Sequence, residues 1–389
     1  MTLAAMPALS CEAIVIGAGP AGAMAARELA RRGIDVLLVE RKLFPRAKVC
    51  GACLNERAVS WLRLAGLSNL LPRLGAVRTE RFRASCGRRS VEIELPGGAA
   101  LSRETFDQAL AQAAVEAGGR LVTGVVATVR ETMPGSSTRE VTLRDGAGQA
   151  RTISAKTVLS ADGLGHPALA RCREFVSRVS PHAKIGMRAR IVNRVDRFKP
   201  GTIYMAAGKG GYVGLVRVED GSLNLAAAIE PQAVKRAGSP AAAVSSILMA
   251  SGMPEVDVTA AAWQGTLPLT QRTVRPVGHR VFLLGDAAGY VEPFTGEGMA
   301  WALASGIAVA DFVERGLDDW CPRLEQEWLA TYHRLIRNRQ FWCRAFAAML
   351  RKPAVVGAAV RLASAWPALC RPIVASLNRP AQPLELCHT

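Results

Sequence analysis

Between Glu12 and Glu40 the chain runs through a strand, three spaced glycines, a helix, a second strand and an acid, and no other stretch constrains its fold as tightly. Glu12-Ala-Ile-Val-Ile16 is a short apolar run of the buried-strand type. Gly17-Ala-Gly19-Pro20-Ala21-Gly22 follows, then an alanine-rich helical stretch to Arg32 with Gly33 as its stop. Asp35-Val-Leu-Leu-Val39 reads as the second strand, ending in Glu40. Gly17 lets the chain turn tightly, Gly19 leaves room for a pyrophosphate to approach the backbone, and Gly22 packs helix against strand. The helix N-terminus then meets the phosphate charge. Glu40 lies 40 − 22 = 18 residues past Gly22, where a ribose-binding carboxylate belongs. An acid there favours an unphosphorylated ribose, so NAD or FAD over NADP at this site.

Two later segments repeat the strand-to-acid pattern. Thr157-Val-Leu-Ser-Ala-Asp162-Gly163 reads as a strand ending in a turn, and Arg280-Val-Phe-Leu-Leu-Gly285-Asp286 as another strand ending in an acid. Pro293, Gly296, Gly298 and Met299 follow, then an apolar helix with Trp301, Ala304 and Ala308 at helical spacing. This order sets Asp286 at the C-terminal end of a strand, where ligands of α/β sheets bind, and aims the amides of 296–299 at whatever sits there.

At these residues the sequence resembles the glutathione-reductase-type flavoproteins of the aromatic hydroxylase and geranylgeranyl-reductase-like group. The resemblance covers nearly all of residues 12–315. Its reductase-like branch is approached most closely by Gly285-Asp-Ala-Ala-Gly-Tyr-Val-Glu-Pro-Phe-Thr-Gly-Glu-Gly-Met299, Phe44-Pro-Arg-Ala-Lys-Val-Cys-Gly51 and Ser102-Arg-Glu-Thr-Phe-Asp107. It implies FAD as the cofactor. Glu40 would bind the adenosine ribose, with Arg41 and Arg46 near adenine or phosphates. The Asp162-Gly163 turn would lie by the pyrophosphate, Arg103 would approach from the helix that starts there, and Asp286 would hold ribityl hydroxyls. Gly296, Gly298 and Met299 would face the pyrimidine edge of the flavin, and Val126 joins the cofactor-binding set. His166 stands where relatives often carry serine.

Composition narrows the class further. The 389 residues are 50% hydrophobic and 21% charged, enough for a sizeable core in two or three domains. A net charge of +17 suits anionic partners, but the arginines are scattered rather than blocked, which argues against nucleic acid. The nine cysteines are odd in number and lack paired CxxC spacing, so neither a disulfide framework nor zinc is indicated. Five dispersed histidines add no metal motif, and no metal is expected. No basic leader precedes the first strand and no uncharged run reaches about 20 residues, so a cytoplasmic protein without a membrane span is expected.

Cys50-Gly-Ala-Cys53 precedes Asn55, a candidate N-cap for a helix over 56–65. A thiol near a helix N-terminus can be redox active. Dithiol cycling is opposed by the close spacing and by the lack of a C-terminal His-Glu acid, leaving Cys50 as a flavin or substrate contact or as a packing residue.

Between the Asp-Gly and Gly-Asp motifs, strand-like stretches dominate: 184–192, 202–207 and a hairpin over 212–230 turning at Asp220-Gly221. An insertion between nucleotide-binding segments folds over the cofactor and makes a cleft. Here the reductase-like branch has an aromatic, proline-containing motif, whereas this chain has Gly210-Gly-Tyr212-Val-Gly-Leu215 without the tryptophan, which favours hydroxylation over prenyl reduction. Tyr212 reads as a pocket residue or as a core tyrosine with a bonded hydroxyl. Cys50 and Tyr212 are the candidate catalytic side chains.

From Thr331 to Thr389 the chain has nine Lys or Arg and one acid among Trp342, Phe346, Leu350, Leu362 and Trp366. This basic, apolar helical segment suits an anionic membrane surface, a cover for a lipophilic entrance, or packing on the substrate domain.

The expected fold is α/β. A discontinuous Rossmann-type FAD-binding domain (1–78, 98–170, 276–340) carries an inserted, mainly antiparallel β-sheet substrate domain (79–97, 171–275), and a basic helical segment (341–389) follows. The expected activity is FAD-dependent oxidation of an apolar aromatic or polyketide-like molecule by O2, with NAD(P)H as transient reductant. Double-bond reduction of a prenyl or other lipophilic substrate, halogenation, and non-catalytic flavin binding are the alternatives.

Overall fold

The computed structural model describes residues 10–87, 89–131, 135–192, 196–292, 296–349 and 353–382. Its first sheet is centred on the Ser10–Ile16 strand, which pairs in parallel with Val36–Glu40 on one side and Ala150–Ser160 on the other. Arg120–Thr123 and Val281–Leu283 extend this parallel array outward. Val36–Glu40 and the ends of Ser10–Ile16 and Ala150–Ser160 are covered on both faces, which is why they read as short apolar runs. The Pro20–Arg31 and Gly298–Asp318 helices pack together on one face, and a Cβ on Gly306 would fall 2.5 Å from the Ala21 carbonyl oxygen. A side chain there would force the helices apart.

The parallel strands deliver their C-terminal ends to one edge. Gly17 N donates to Val39 O at 2.7 Å, Ala161 N to Ile16 O at 2.8 Å, and Leu284 N to Ser160 O at 2.8 Å. The Gly17, Glu40, Ala161 and Leu284 positions therefore converge, as an open α/β sheet requires for a ligand crevice.

The second sheet has seven strands. In order they are Gln264–Pro268, Ile185–Ile191, Leu223–Ile229, Gly211–Arg217, Thr202–Gly208, Arg81–Cys86 and Arg89–Glu94. All neighbours are antiparallel except Thr202–Gly208 with Arg81–Cys86. Side chains alternate between its faces with period two. Tyr204, Val213, Leu215 and Leu225 point into a core closed by the Pro240–Ala250 helix through Val244, Ile247 and Leu248. Met205, Ala207, Tyr212 and Ala228 belong to a separate cluster on the other side.

Beyond Asn338 the chain forms helices at Asn338–Met349, Pro353–Ala365 and Arg371–Leu377. Val356 and Val360 pack on Val91 and the Met205 cluster, and Ser364 Oγ donates to Ser90 O at 3.0 Å, so the middle helix covers the edge strand of the second sheet. Covering an edge removes an open row of backbone groups. Residues 377–381 then cross the helix Glu56–Leu64, where Ala381 N donates to Ser60 Oγ at 2.7 Å. None of the described helices is long and apolar enough to cross a membrane. The whole is the expected α/β architecture: a Rossmann-like domain, an inserted antiparallel sheet and C-terminal helices.

Candidate active site

A cavity of about 360 Å³ runs from the C-terminal edge of the parallel sheet to the open face of the second sheet. At one end it is lined by Gly17, Gly19, Glu40 and Arg41, and at the other by Met205, Tyr212, Gly214 and Leu269. Its size lies within the range of small-molecule sites.

Backbone sterics set the first end. Gly17 has φ +98°, and a Cβ on it would lie 2.4 Å from Ala161 O; one on Gly22 would lie 1.9 Å from Gly17 O. Gly19 differs: its Cβ would project into open space, with Arg103 Nη2 at 3.7 Å and Arg46 Nη2 at 3.8 Å as its nearest neighbours. The Pro20–Arg31 helix begins on Gly19 with Pro20 at its first position and no side-chain cap. Free helix amides, an unfilled gap over Gly19 and two guanidinium groups make a cradle for a pyrophosphate.

Glu40 is buried at the end of its strand. Its Oε2 accepts from Ala18 N at 3.0 Å and pairs with Arg46 Nη2 at 3.1 Å, while Oε1 accepts from Lys42 N at 3.1 Å. Arg46 also reaches Asp107 Oδ2 at 3.0 Å, and Arg103 holds the same carboxylate through Nε at 2.7 Å and Nη2 at 2.8 Å. Asp107, fully buried, thus locks both arginines in place. Burial alone would lower the Arg103 pKa, but Asp107 and Cys50, each bonded to it, hold it above its ordinary value. Arg46 Nε is buried with no partner among the described residues, as a ligand oxygen would require. Arg41 stays exposed at the cleft mouth, beside the exposed Val126 of the Val125–Val129 strand.

The middle of the cleft collects Asp162, Gly163, Gly285, Asp286 and Lys48. Asp162 turns back on its own segment, accepting from Ser160 Oγ at 2.6 Å and from Ala168 N at 2.7 Å, and leaves Gly163, at φ +92°, to face the cleft. Burial raises the pKa of Asp162 and of Asp286; Lys48 and Arg103 oppose the rise at Asp286. Lys48 is pushed down, chiefly by burial, with Asp286 acting the other way. His166 lies buried beside this segment, at φ +34°, with neither ring nitrogen bonded among the described residues.

At the far end Gly296, at φ +72°, and Gly298 and Met299, which open the long helix, line the cavity; Pro293 lies outside the described residues. Glu297, between them, is fully buried. Arg339 donates to its Oε1 at 2.9 and 2.8 Å, and Cys343 Sγ to its Oε2 at 3.4 Å. The flavin-facing turn of the resemblance is therefore fastened to the C-terminal helices.

Opposite, the Tyr212 hydroxyl bonds to Glu292, and burial, Glu292 and Tyr290 push its pKa well above the usual value. Glu292 is held in turn by Lys184 Nζ, at 3.0 and 3.3 Å, and Lys184 lies 5.7 Å above the Tyr212 ring. Tyr212 is thus both a cleft residue and a tyrosine with a bonded hydroxyl. Cys50 lies in the cleft wall, its carbonyl fixed by Asn224 Nδ2 at 3.0 Å. Asn55 caps the Glu56–Leu64 helix as its spacing suggests, accepting from Ala58 N at 3.0 Å. Cys53, however, opens a short strand, and burial drives its thiol up to about 12. A thiol held there is disfavoured as the thiolate that exchange requires.

Asp107, Lys48, Asn224, Glu292 and Lys184 went unassigned by sequence reasoning. Asp107 carries a readable signal in its four-residue spacing from Arg103 on one helix. The Lys184–Glu292 pair, 108 residues apart, has none.

Comparison with known proteins gives this cleft a lineage. A family described as an FAD binding domain matches residues 10–333. Menaquinone reductase of Mycobacterium tuberculosis H37Rv is 26% identical over 323 residues, spanning 78% of this chain and 77% of that one. The menaquinone reductase of Mycolicibacterium smegmatis is 29% identical over 326 residues, 78% and 76% of the two chains. Digeranylgeranylglycerophospholipid reductase 2 of Methanopyrus kandleri is 27% identical over 322 residues, 79% and 78%. Among solved structures, a triple mutant of the flavin-dependent brominase Bmp2 matches with a TM-score of 0.78 at 17% identity, covering 95% of this chain and 94% of that one. The myxobacterial chondrochloren halogenase CndH gives 0.74 at 19%, covering 97% and 95%. These two likenesses concern the fold. The family match is to the aromatic-hydroxylase group of FAD proteins and does not extend to the glutathione-reductase-type label of the sequence resemblance. The glycine cradle, the buried Glu40, the doubly held Asp107 and a family match over most of the chain lead to one conclusion: this protein belongs to the FAD-binding-domain family of FAD-dependent oxidoreductases.

Proposed function

We propose that this protein is an FAD-dependent reductase that adds hydrogen across a carbon–carbon double bond of a lipophilic isoprenoid molecule, a prenylated quinone being the class to test first. Two considerations support the reading over the hydroxylation expected from sequence. Relatives at 26–29% identity over more than three-quarters of the chain carry names of reductases acting on menaquinone and on a digeranylgeranyl lipid. The single structural observation that carries it is Tyr212: a buried, protonated hydroxyl on an otherwise apolar wall, backed by the Glu292–Lys184 pair.

When bound, FAD supplies the hydride equivalent, which we assign to an external NAD(P)H donor. Saturating a double bond requires a hydride on one carbon and a proton on the other. Tyr212 holds that proton. Burial and the Glu292 carboxylate hold its pKa well above the ordinary value, so the hydroxyl keeps its proton until it is delivered, and Lys184 Nζ lies 5.7 Å from the ring centre. Met205, Gly214, Ala226 and Leu269 provide a smooth apolar wall that excludes water and accepts a chain. Gly19, Arg46, Arg103 and Lys48 orient the phosphates, and Glu40 the ribose.

Incubation of the purified protein with NADH or NADPH, menaquinone and air tests the reading. Menaquinone that keeps two added hydrogens in its side chain after the ring has been reoxidised to the quinone, with oxygen uptake no higher than without substrate, is expected; a product carrying one added oxygen, or only the ring quinol, would overturn it.

A further inference from the structure

We infer that the outer face of the C-terminal helices is a docking surface for an anionic lipid bilayer. This goes beyond the proposed reaction and does not depend on it.

The helix Pro353–Ala365 has two apolar faces. Val356 and Val360 are spent on the second sheet, in the cluster that also contains Met205, Tyr212 and Leu269 of the cleft wall. Val355 and Leu362 look the other way, at 43% and 49% exposure. The face continues past the helix end with Trp366 at 61%, Leu369 at 54% and Ile373 at 47%. Val355 and Leu362 lie on the Pro353–Ala365 helix, Trp366 at its end, Leu369 in the turn Pro367–Cys370 and Ile373 on the next helix, Arg371–Leu377, so exposed apolar side chains follow one another through three successive elements. Scattered single apolar residues on a surface are ordinary, but a row of five that includes an exposed tryptophan meets no packing partner among the described residues.

Charge selects the partner. From Trp328 to Leu384 the sequence has nine Lys or Arg and no acid. Arg361, Arg371 and Arg379 are exposed within or beside the stripe, and none of them pairs with a carboxylate among the described residues. Some arginines elsewhere on the surface are matched, Arg120 with Asp35, Arg130 with Glu140 and Arg323 with Glu327, whereas the run from Trp328 to Leu384 contains no acid to match these three. An unmatched cationic face would repel a second copy of itself. Large apolar side chains set between the arginines would gain nothing from a phosphodiester backbone, whereas both features are used at an anionic headgroup layer, with the rings and aliphatics below it and guanidinium groups among the phosphates. The docked helix would lie beside the cleft on the same face of the second sheet, so a lipophilic substrate needs only a short path from bilayer to cavity.

The test is sedimentation of the flavin-loaded protein with vesicles, followed by its own visible absorbance and independent of turnover. Phosphatidylcholine vesicles are compared with an equimolar mixture of phosphatidylcholine and phosphatidylglycerol. Pelleting with the anionic vesicles only, weakened by added salt, is expected. Arg361→Gln with Arg371→Gln should raise the lipid concentration for half-binding about thirtyfold, and Trp366→Ser with Leu369→Ser should do at least as much, each with an unchanged melting temperature and flavin content. No pelleting with anionic vesicles, or equal pelleting of parent and variants, would overturn the inference. So would a parent that is dimeric by light scattering where the Trp366→Ser, Leu369→Ser variant is monomeric, or one that binds duplex DNA more tightly than the vesicles.

Discussion

The two ends of the cleft are built on different physical grounds. At residues 16–46 the backbone itself is the binding element: Gly17 and Gly22 have no room for a methyl group, and charged side chains are clamped by buried partners. At the second sheet the backbone is ordinary antiparallel ladder, and the side chains alone decide what fits. The first end can hold one kind of ligand. The second can be retuned by substitution without disturbing the first.

The sharpest way to break this contrast is at Gly22. Gly22→Ala would drive a methyl group onto the Gly17 carbonyl, and loss of all bound flavin with destabilisation of about 3 kcal/mol is expected, read from the visible spectrum and urea unfolding. A flavin-loaded variant of normal stability would show that the cradle is not sterically set. Asp107→Asn comes next. It removes the shared carboxylate of Arg46 and Arg103, and should cost about 3 kcal/mol of stability or flavin affinity, measured by calorimetric titration.

The wall should respond differently. Tyr212→Phe removes one hydroxyl and should lower kcat about a hundredfold with flavin affinity unchanged; a matching loss of flavin would make it a core residue instead. Lys48 gives a pH test of the cradle. Because burial lowers its pKa, it loses its charge below the usual lysine range near 10.4, so flavin affinity should fall by about tenfold as pH rises toward 10. Lys48→Arg should abolish that dependence. The smallest effect is at Cys53, whose raised thiol should resist iodoacetamide at pH 8 in the folded protein and react after denaturation, as shown by peptide mass mapping.

The same contrast explains what could be read from the sequence. The Gly17, Gly19, Gly22 and Glu40 spacing is readable because steric exclusion and ribose geometry allow few solutions, and the strand-to-acid pattern at Asp286 repeats that logic. The apolar runs Ala13–Ile16, Val36–Val39 and Val158–Leu159 made the C-terminal parts of the central parallel strands legible, whereas the polar first half of Ala150–Ser160 carried no such run. Which face of the second sheet meets the cleft was not, because period-two alternation between Tyr204, Val213 and Leu215 on one side and Met205 and Tyr212 on the other is apolar throughout. Glu292 and Lys184 stayed hidden because a buried pair formed by distant segments leaves no local pattern. The C-terminal segment carried two signals at once, an inward stripe at Val356 and Val360 and an outward one at Leu362 and Trp366, and composition alone cannot assign them to different partners.

The central claim is that electrons held in this cleft pass to a double bond rather than to oxygen. Anaerobic flavin-loaded protein, reduced with dithionite and mixed with menaquinone in detergent, tests it without any nicotinamide donor. The account predicts return of the oxidised flavin absorbance together with one menaquinone per flavin saturated at a side-chain double bond, told from menaquinol by reoxidising the ring in air before mass analysis. Reduced flavin that persists with menaquinone and is discharged only when air is admitted would contradict it.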